Sequence, residues 1–149
     1  MDVIGVTRNP NAERKRQLEL RWLRGLEALP ELFQQADFAV VAVPLNDQTR
    51  GLIETRELEA LGRKGYLVNV SRGPVVEEEA LYRALATGAI AGAGLDVWYR
   101  YPTNANELLL PASQPFWELD NVLMTPQSLG LRSQRSSDAG VSLSSSCDD

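Results

Sequence analysis

The stretch Leu67-Val68-Asn69-Val70-Ser71-Arg72-Gly73-Pro74-Val75-Val76 constrains this chain more than any other. Its β-rich apolar start predicts a buried strand, and Ser-Arg-Gly followed by proline predicts a turn at the strand's carboxyl end. Glu77-Glu78-Glu79 then opens an amphipathic helix to Thr87, with acidic charge at the positive end of its dipole and Leu81, Ala84 and Leu85 facing inward. Gly88 is placed to cap its end. Strand, loop and helix in that order is the unit of a parallel α/β sheet, where ligands sit outside the strand carboxyl ends. Arg72 therefore falls where a planar five-donor guanidinium could clamp a carboxylate.

Other segments fit the same plan. Strands are expected near Val3–Val6, Phe38–Val43, Gly92–Val97 and Val122–Met124, beside Tyr66–Val70. The near-continuous apolar run of Phe38 to Val43 reads as a strand covered on both faces, stopped by Pro44. Glu13 to Gln35 reads as mostly helical and interrupted at Pro30, with Leu26, Leu29, Leu32 and Phe33 on one side. Thr55 is positioned to cap a short helix over Arg56 to Leu61, and Gly62 and Gly65 bracket the turn that follows. Pro115 to Leu119 predicts a single helical turn.

Two local patterns mislead. Gly92-Ala93-Gly94 enters a strand instead of leaving one for a helix, so it fails as a dinucleotide fingerprint. Asn69-Val70-Ser71 has the form of a glycosylation sequon but lies in an expected buried strand.

With 149 residues there is room for one domain with a real core. The net charge of -5 argues against a nucleic-acid or anionic-membrane surface, and the basic cluster Arg14-Lys15-Arg16 is flanked by Glu13 and Glu19. The single cysteine, Cys147, has no partner for an internal disulfide. No signal-like segment and no long apolar run is present, so the expected setting is cytoplasmic, without membrane or nucleic-acid partners. There is no histidine. From Ser128 to Asp149 the composition turns Ser-rich, too poor in large apolar residues to offset its chain entropy.

Asn-Val-Ser-Arg-Gly-Pro-Val-Val-Glu from Asn69, Ala-Gly-Ala-Gly-Leu-Asp-Val-Trp from Ala91 and Asp-Asn-Val-Leu-Met-Thr-Pro from Asp120 stand in order. With Ala36-Asp37-Phe38 to Val43-Pro44-Leu45 and Thr49-Arg50-Gly51-Leu52-Ile53, the sequence from about Asp2 to Pro126 resembles the D-isomer-specific 2-hydroxyacid dehydrogenases. The resemblance implies an α/β, partial doubly wound, Rossmann-like parallel sheet whose first strand and glycine-rich turn are missing. Residues 1–126 would form a partial NAD(P)-binding domain, and 127–149 a mobile, dispensable tail. The chain is expected to begin at the second strand of that fold, as a fragment truncated at both ends.

The family reaction moves a hydride between nicotinamide and a small 2-keto or 2-hydroxy acid. It uses an arginine for the substrate carboxylate, a histidine as general acid or base, and a glutamate to orient that histidine. Arg72 matches the arginine; its alternative is a salt bridge closing the strand end. Asp96 matches the aspartate that receives the nicotinamide carboxamide; its alternative is a turn cap. Val43 and Pro44 would lie along the cofactor, and Val70 and Ser71 would line it mainly through backbone. Thr7 and Arg8 stand where an acidic residue would mark NAD. Arg8 could pair with the 2'-phosphate of NADP, favouring NADP over NAD, or be an ordinary surface arginine.

Two matches fail. Tyr101 stands at the family glutamate position and Gln127 at the histidine position, and an amide does not titrate. The chain alone is therefore expected to be inactive, a fragment of a glyoxylate/hydroxypyruvate reductase-like enzyme. The alternative is a catalytically silent dinucleotide-binding regulatory module. Full-length members would be homodimers that rely partly on elements before residue 1. The sequence implies no metal site, and substrate identity lies beyond these residues.

Overall fold

A computed structural model describes residues 2–101 and 110–125. Among the described residues six strands appear, all in parallel pairs, but they form two sheets instead of one. The first sheet pairs β1 (Ile4–Val6) with β2 (Trp22–Arg24). The second runs β3-β4-β5-β6, comprising Phe38–Val41, Tyr66–Asn69, Gly92–Leu95 and Val122–Met124.

Strand β2 corrects the helical reading of residues 13–35. Helix α1 covers only Ala12–Gln17, and a short 3-10 turn over Leu26–Ala28 leads into α2 at Leu29–Gln35. Pro30 lies in the first turn of α2, where its missing N–H costs nothing, so it starts a helix instead of interrupting one. Charged neighbours hide the Trp-Leu-Arg strand, whose Arg24 is held over the Trp22 ring at 4.9 Å and bonds Glu31 at 2.6 Å.

Helix α3 spans Thr55–Leu61, but its cap is Glu54, not Thr55. Glu54 and Glu57 form a reciprocal capping box, in which the Glu57 carboxylate accepts from the Glu54 N–H at 3.1 Å. Helix α4 spans Glu78–Ala86 as the acidic start predicted. The Glu77 carboxylate caps it, accepting from Glu79 and Ala80 N–H groups at 3.2 and 2.5 Å. Ala80, Leu81, Ala84 and Leu85 are buried, and Gly88 takes a φ of 66° just past its end. The single turn before β6 is a 3-10 turn at Phe116–Glu118.

The core lies between α2, α3 and α4 and one face of the larger sheet, and gathers Phe33, Leu58, Leu67, Leu81, Leu95 and Phe116. The opposite face is open: Phe38 is 66 % exposed, Val40 63 % and Leu123 70 %. This corrects the expectation that the Phe38–Val43 run is covered on both faces. The reason is topological. Each step from β3 to β6 moves one place in the same direction, and crossovers of one hand then deliver their helices to one side. Among the described residues, no helix is long and apolar enough to cross a membrane.

Candidate functional site

The strand carboxyl ends carry the candidate site. The strands stop earlier than their apolar runs, at Val41, Asn69 and Leu95 instead of Val43, Val70 and Val97. The residues after these ends bend into loops around a cavity of about 560 Å³ lined by Ala42, Val43, Pro44, Leu45, Val70, Ser71 and Arg72. The sequence-predicted Val43, Pro44, Val70, Ser71 and Arg72 are thus brought together.

The first wall is held by a buried hydroxyl. Thr49 Oγ1 donates to the Pro44 carbonyl at 2.6 Å and accepts from the Asn46 N–H at 2.9 Å, while Asn46 Oδ1 accepts from the Gln48 N–H at 2.9 Å. The turn after Pro44 is thereby closed by side chains of its own.

The opposite wall is shaped by Asn69, a buried amide at the end of β4. Its Nδ2 donates to the Arg72 carbonyl at 3.2 Å and its Oδ1 accepts from the Ser71 N–H at 3.1 Å. Both bonds span the turn that presents Arg72 to solvent. Ser71 Oγ accepts from the Arg72 N–H at 2.6 Å, and Arg72 Nη1 donates to the Ser71 carbonyl at 2.7 Å. Among the described residues the ion pairs are Arg21–Asp2 and Arg24–Glu31, so the salt bridge offered as an alternative role for Arg72 does not form there. One backbone carbonyl occupies a single donor of the fork, and among the described residues no other group takes the remaining N–H groups, which suit an anion. Gly73 closes the loop against the segment that follows β5: a Cβ there would meet the Trp98 carbonyl oxygen at 2.3 Å.

Asp96 lies one strand over and outside the cavity lining. Its N–H donates to the Asn69 carbonyl at 3.1 Å, and its exposed carboxylate accepts from Thr125 Oγ1 at 2.5 Å. Thr7 and Arg8 follow β1 in the smaller sheet, and they too lie outside the lining. The Thr7 N–H extends the β1–β2 ladder by donating to the Arg24 carbonyl at 2.9 Å, while Arg8 is exposed. Tyr101 is half-buried, and its hydroxyl accepts from the Trp98 N–H at 2.8 Å. Gln127 and the Ser-rich segment lie outside the described residues.

Sequence reasoning did not single out Asn69, Thr49 or Glu78 for the roles they take. Glu78 accepts from the backbone N–H groups of Ser113 and Gln114, the latter at 2.9 Å, and so ties the segment before β6 to α4. A polar residue inside an apolar run was the available signal for Asn69; nothing local marks Glu78 among its acidic neighbours. Tyr99 donates to the Val76 carbonyl at 3.0 Å and stacks on Phe116 at 6.2 Å. Burial pushes its phenol well above the usual range, and the charges of Glu78 and Glu77 add to the shift.

A parallel α/β sheet with loops gathered at its strand carboxyl ends defines a nucleotide-binding class of domain. Within that class, the family model for the D-isomer specific 2-hydroxyacid dehydrogenase NAD binding domain matches residues 1–128, and the chain belongs to that family. A glyoxylate reductase of Thermococcus gammatolerans is 41% identical over 120 residues, which cover 80% of this chain and 32% of that protein. A glyoxylate/hydroxypyruvate reductase A of Arabidopsis thaliana is 41% identical over 96 residues, covering 64% of this chain and 28% of that one. The crystal structure of a D-isomer specific 2-hydroxyacid dehydrogenase from Xanthobacter autotrophicus Py2 with NADPH and MES superposes with a TM-score of 0.69 at 40% identity. It covers 86% of this chain and 48% of that one. The chain spans about a third of the length of the curated relatives it matches.

The residues at the strand ends fit part of a nicotinamide dinucleotide. An exposed guanidinium suits an anion, and an exposed carboxylate one strand away suits an amide N–H. The pyrophosphate is different, because the sequence contains no G-x-G-x-x-G turn to bring backbone donors to it.

Proposed function

We propose that this chain is the cofactor-side half of a glyoxylate- or hydroxypyruvate-reducing site, which holds ligand groups without turning substrate over by itself. The observation that carries this reading is the cavity at the strand carboxyl ends, where Val43, Pro44, Val70, Ser71 and Arg72 converge. In this reading Arg72 binds the carboxylate of a 2-keto acid and polarises its carbonyl. Val43, Pro44 and the backbone of Val70 and Ser71 flank the dinucleotide, and Asp96 accepts from its carboxamide. The bound nicotinamide would supply the hydride.

Proton transfer is what these residues lack. The sequence has no histidine, and Tyr101, whose hydroxyl accepts the Trp98 N–H at 2.8 Å, lies outside the cavity lining. Loss of a general acid alone costs on the order of 10²–10⁴ in rate. Arg8, exposed after β1, biases the adenosine end toward NADP in the same reading.

Calorimetric titration of NADPH and NADH into the purified chain tests the binding side. Weak binding of both is expected, with NADPH the tighter and Arg8→Ala removing the difference; tighter NADH would dismiss the role given to Arg8. Nicotinamide absorbance with glyoxylate or hydroxypyruvate tests the chemistry, with Arg72→Ala as the blank. A rate clearly above that blank would overturn the reading of a half-site without turnover.

A further inference from the structure

The amide of Asn69 stands where the sheet calls for an apolar side chain. Along β4 the residues alternate, with Leu67 and Asn69 buried and Tyr66 exposed. Asn69 is in register with Val41 of β3 and Leu95 of β5, both buried and apolar, and is itself 1 % exposed. A leucine or valine in that row would gain burial, whereas an amide costs stability there unless its polar atoms are bonded. The row does not account for Asn69, but the turn beyond it does.

That turn is held on both sides of Arg72. The Ser71 N–H donates to Asn69 Oδ1 at 3.1 Å, and the Arg72 carbonyl accepts from Asn69 Nδ2 and from the Val75 N–H, both at 3.2 Å. Between the two Asn69 bonds lies the peptide unit that joins Ser71 to Arg72. Its flanks are clipped by the amide and its N–H donates to Ser71 Oγ at 2.6 Å, so its carbonyl is left with one direction. That carbonyl is the group that takes Arg72 Nη1 at 2.7 Å. Asn69 thereby sets the direction of the Ser71 carbonyl, and through it that of the guanidinium.

The chemistry of the clip is specific to an amide, which carries a donor and an acceptor in one plane and no charge. A carboxylate at the same place could accept from Ser71, but its second oxygen would face the Arg72 carbonyl and its charge would offset that of the fork.

We infer that Asn69 is a positioning residue for anion binding. It is not among the residues that line the cavity, and it acts by holding the Ser71–Arg72 peptide so that the guanidinium keeps one N–H on the Ser71 carbonyl and offers the others to the cavity. The inference rests on the reading of Arg72 as the group that binds a carboxylate.

The test titrates oxalate, a two-carboxylate relative of glyoxylate, into the whole chain while the side-chain N–H signals of Arg72 are followed by NMR. Asn69→Leu, similar in size but able to make neither bond, should weaken oxalate binding about tenfold and let the Arg72 Nη signals average as the guanidinium leaves the Ser71 carbonyl. Asn69→Thr, whose shorter hydroxyl reaches at most one of the two partners, should fall in between, and it carries the test if the leucine variant does not fold. Leu85→Ala, buried on α4 and outside the cavity lining, lowers stability without touching the turn and should bind oxalate as the unchanged chain does. Arg72→Ala separates the two readings. If it binds oxalate as well as the unchanged chain, the role given to Arg72 fails and the inference with it. If it loses oxalate while both Asn69 variants bind at full strength with the Arg72 signals unaltered, that role stands and the inference is overturned. A loss in Leu85→Ala equal to that in the Asn69 variants would reduce the effect to stability, and would overturn it too.

Discussion

At the scale of single residues, Gly73 and Gly94 make opposite predictions although both lie near the candidate site. A Cβ on Gly73 would lie 2.3 Å from the Trp98 carbonyl oxygen and 2.5 Å from its carbon, which are backbone atoms with nowhere to go. Gly73→Ala should therefore destabilise the chain by about 1–3 kcal/mol, read as a lower urea midpoint. On Gly94 the nearest atoms are the Val68 methyls at 3.9 Å, so Gly94→Ala should leave the midpoint within the effect of about 0.5 kcal/mol. Tyr99 supplies a pH-dependent counterpart. Its phenol is held neutral by burial and by the charges of Glu78 and Glu77, so the folded form keeps its proton above the pH at which an unfolded tyrosine loses it. The sign follows from linkage: the contribution is complete below about pH 10 and is lost progressively as pH rises beyond that. Tyr99→Phe should cost about 0.5–1.5 kcal/mol at neutral pH, through the lost bond to the Val76 carbonyl, and should flatten the alkaline fall in stability. Denaturant titrations at a series of pH values measure both.

Among the elements, the open side of the larger sheet yields the clearest expectation. Leu123 on β6 is almost wholly presented to solvent, in register with Gly94 of β5. Leu123→Lys should reduce binding of a hydrophobic dye and improve solubility while shifting stability by no more than about 0.5 kcal/mol. An unchanged dye signal would mean the face is covered. How much of the fold could be read in the residues also becomes clear at this scale. The strands β3, β4, β5 and β6 and the helix α4 were legible because their apolar periodicity and flanking breakers act locally. Strand β2 was not, since Trp22-Leu23-Arg24 is short and sits among charged residues whose helical preference masks it. The cap on α3 was misassigned because Thr55 and Glu54 both offer an oxygen, and only the reciprocal bond to Glu57 decides between them. Coverage of β3 was misread for a different reason: an apolar run records what a strand suits, not what the described residues lay against it. For the candidate site, the grouping of Val43, Pro44, Val70, Ser71 and Arg72 was legible from motif order. The inward roles of Asn69 and Thr49 were not, because each depends on backbone atoms brought near only by the turn itself.

For the whole molecule, the division into two sheets sets an order of events. In β1 and β2 none of the strand residues is buried, whereas Ala39, Leu67, Ala93 and Leu95 of the larger sheet are. The smaller sheet adheres chiefly through its packing on α2, without a ladder to β3. Native-state exchange should then reveal two cooperative units: the Gly5 amide opens at low free energy, and those of Leu67 and Leu95 only on global unfolding. A single common opening energy for all three would contradict this.

The same division bears on how the chain behaves as it emerges from a ribosome. In the larger sheet β4, β5 and β6 each pair with the strand made just before them, so this sheet can grow in the order of synthesis with short loop closures. Of the residues made earlier its core takes only those of α2, Phe33 above all, and β1 and β2 are left to dock afterwards.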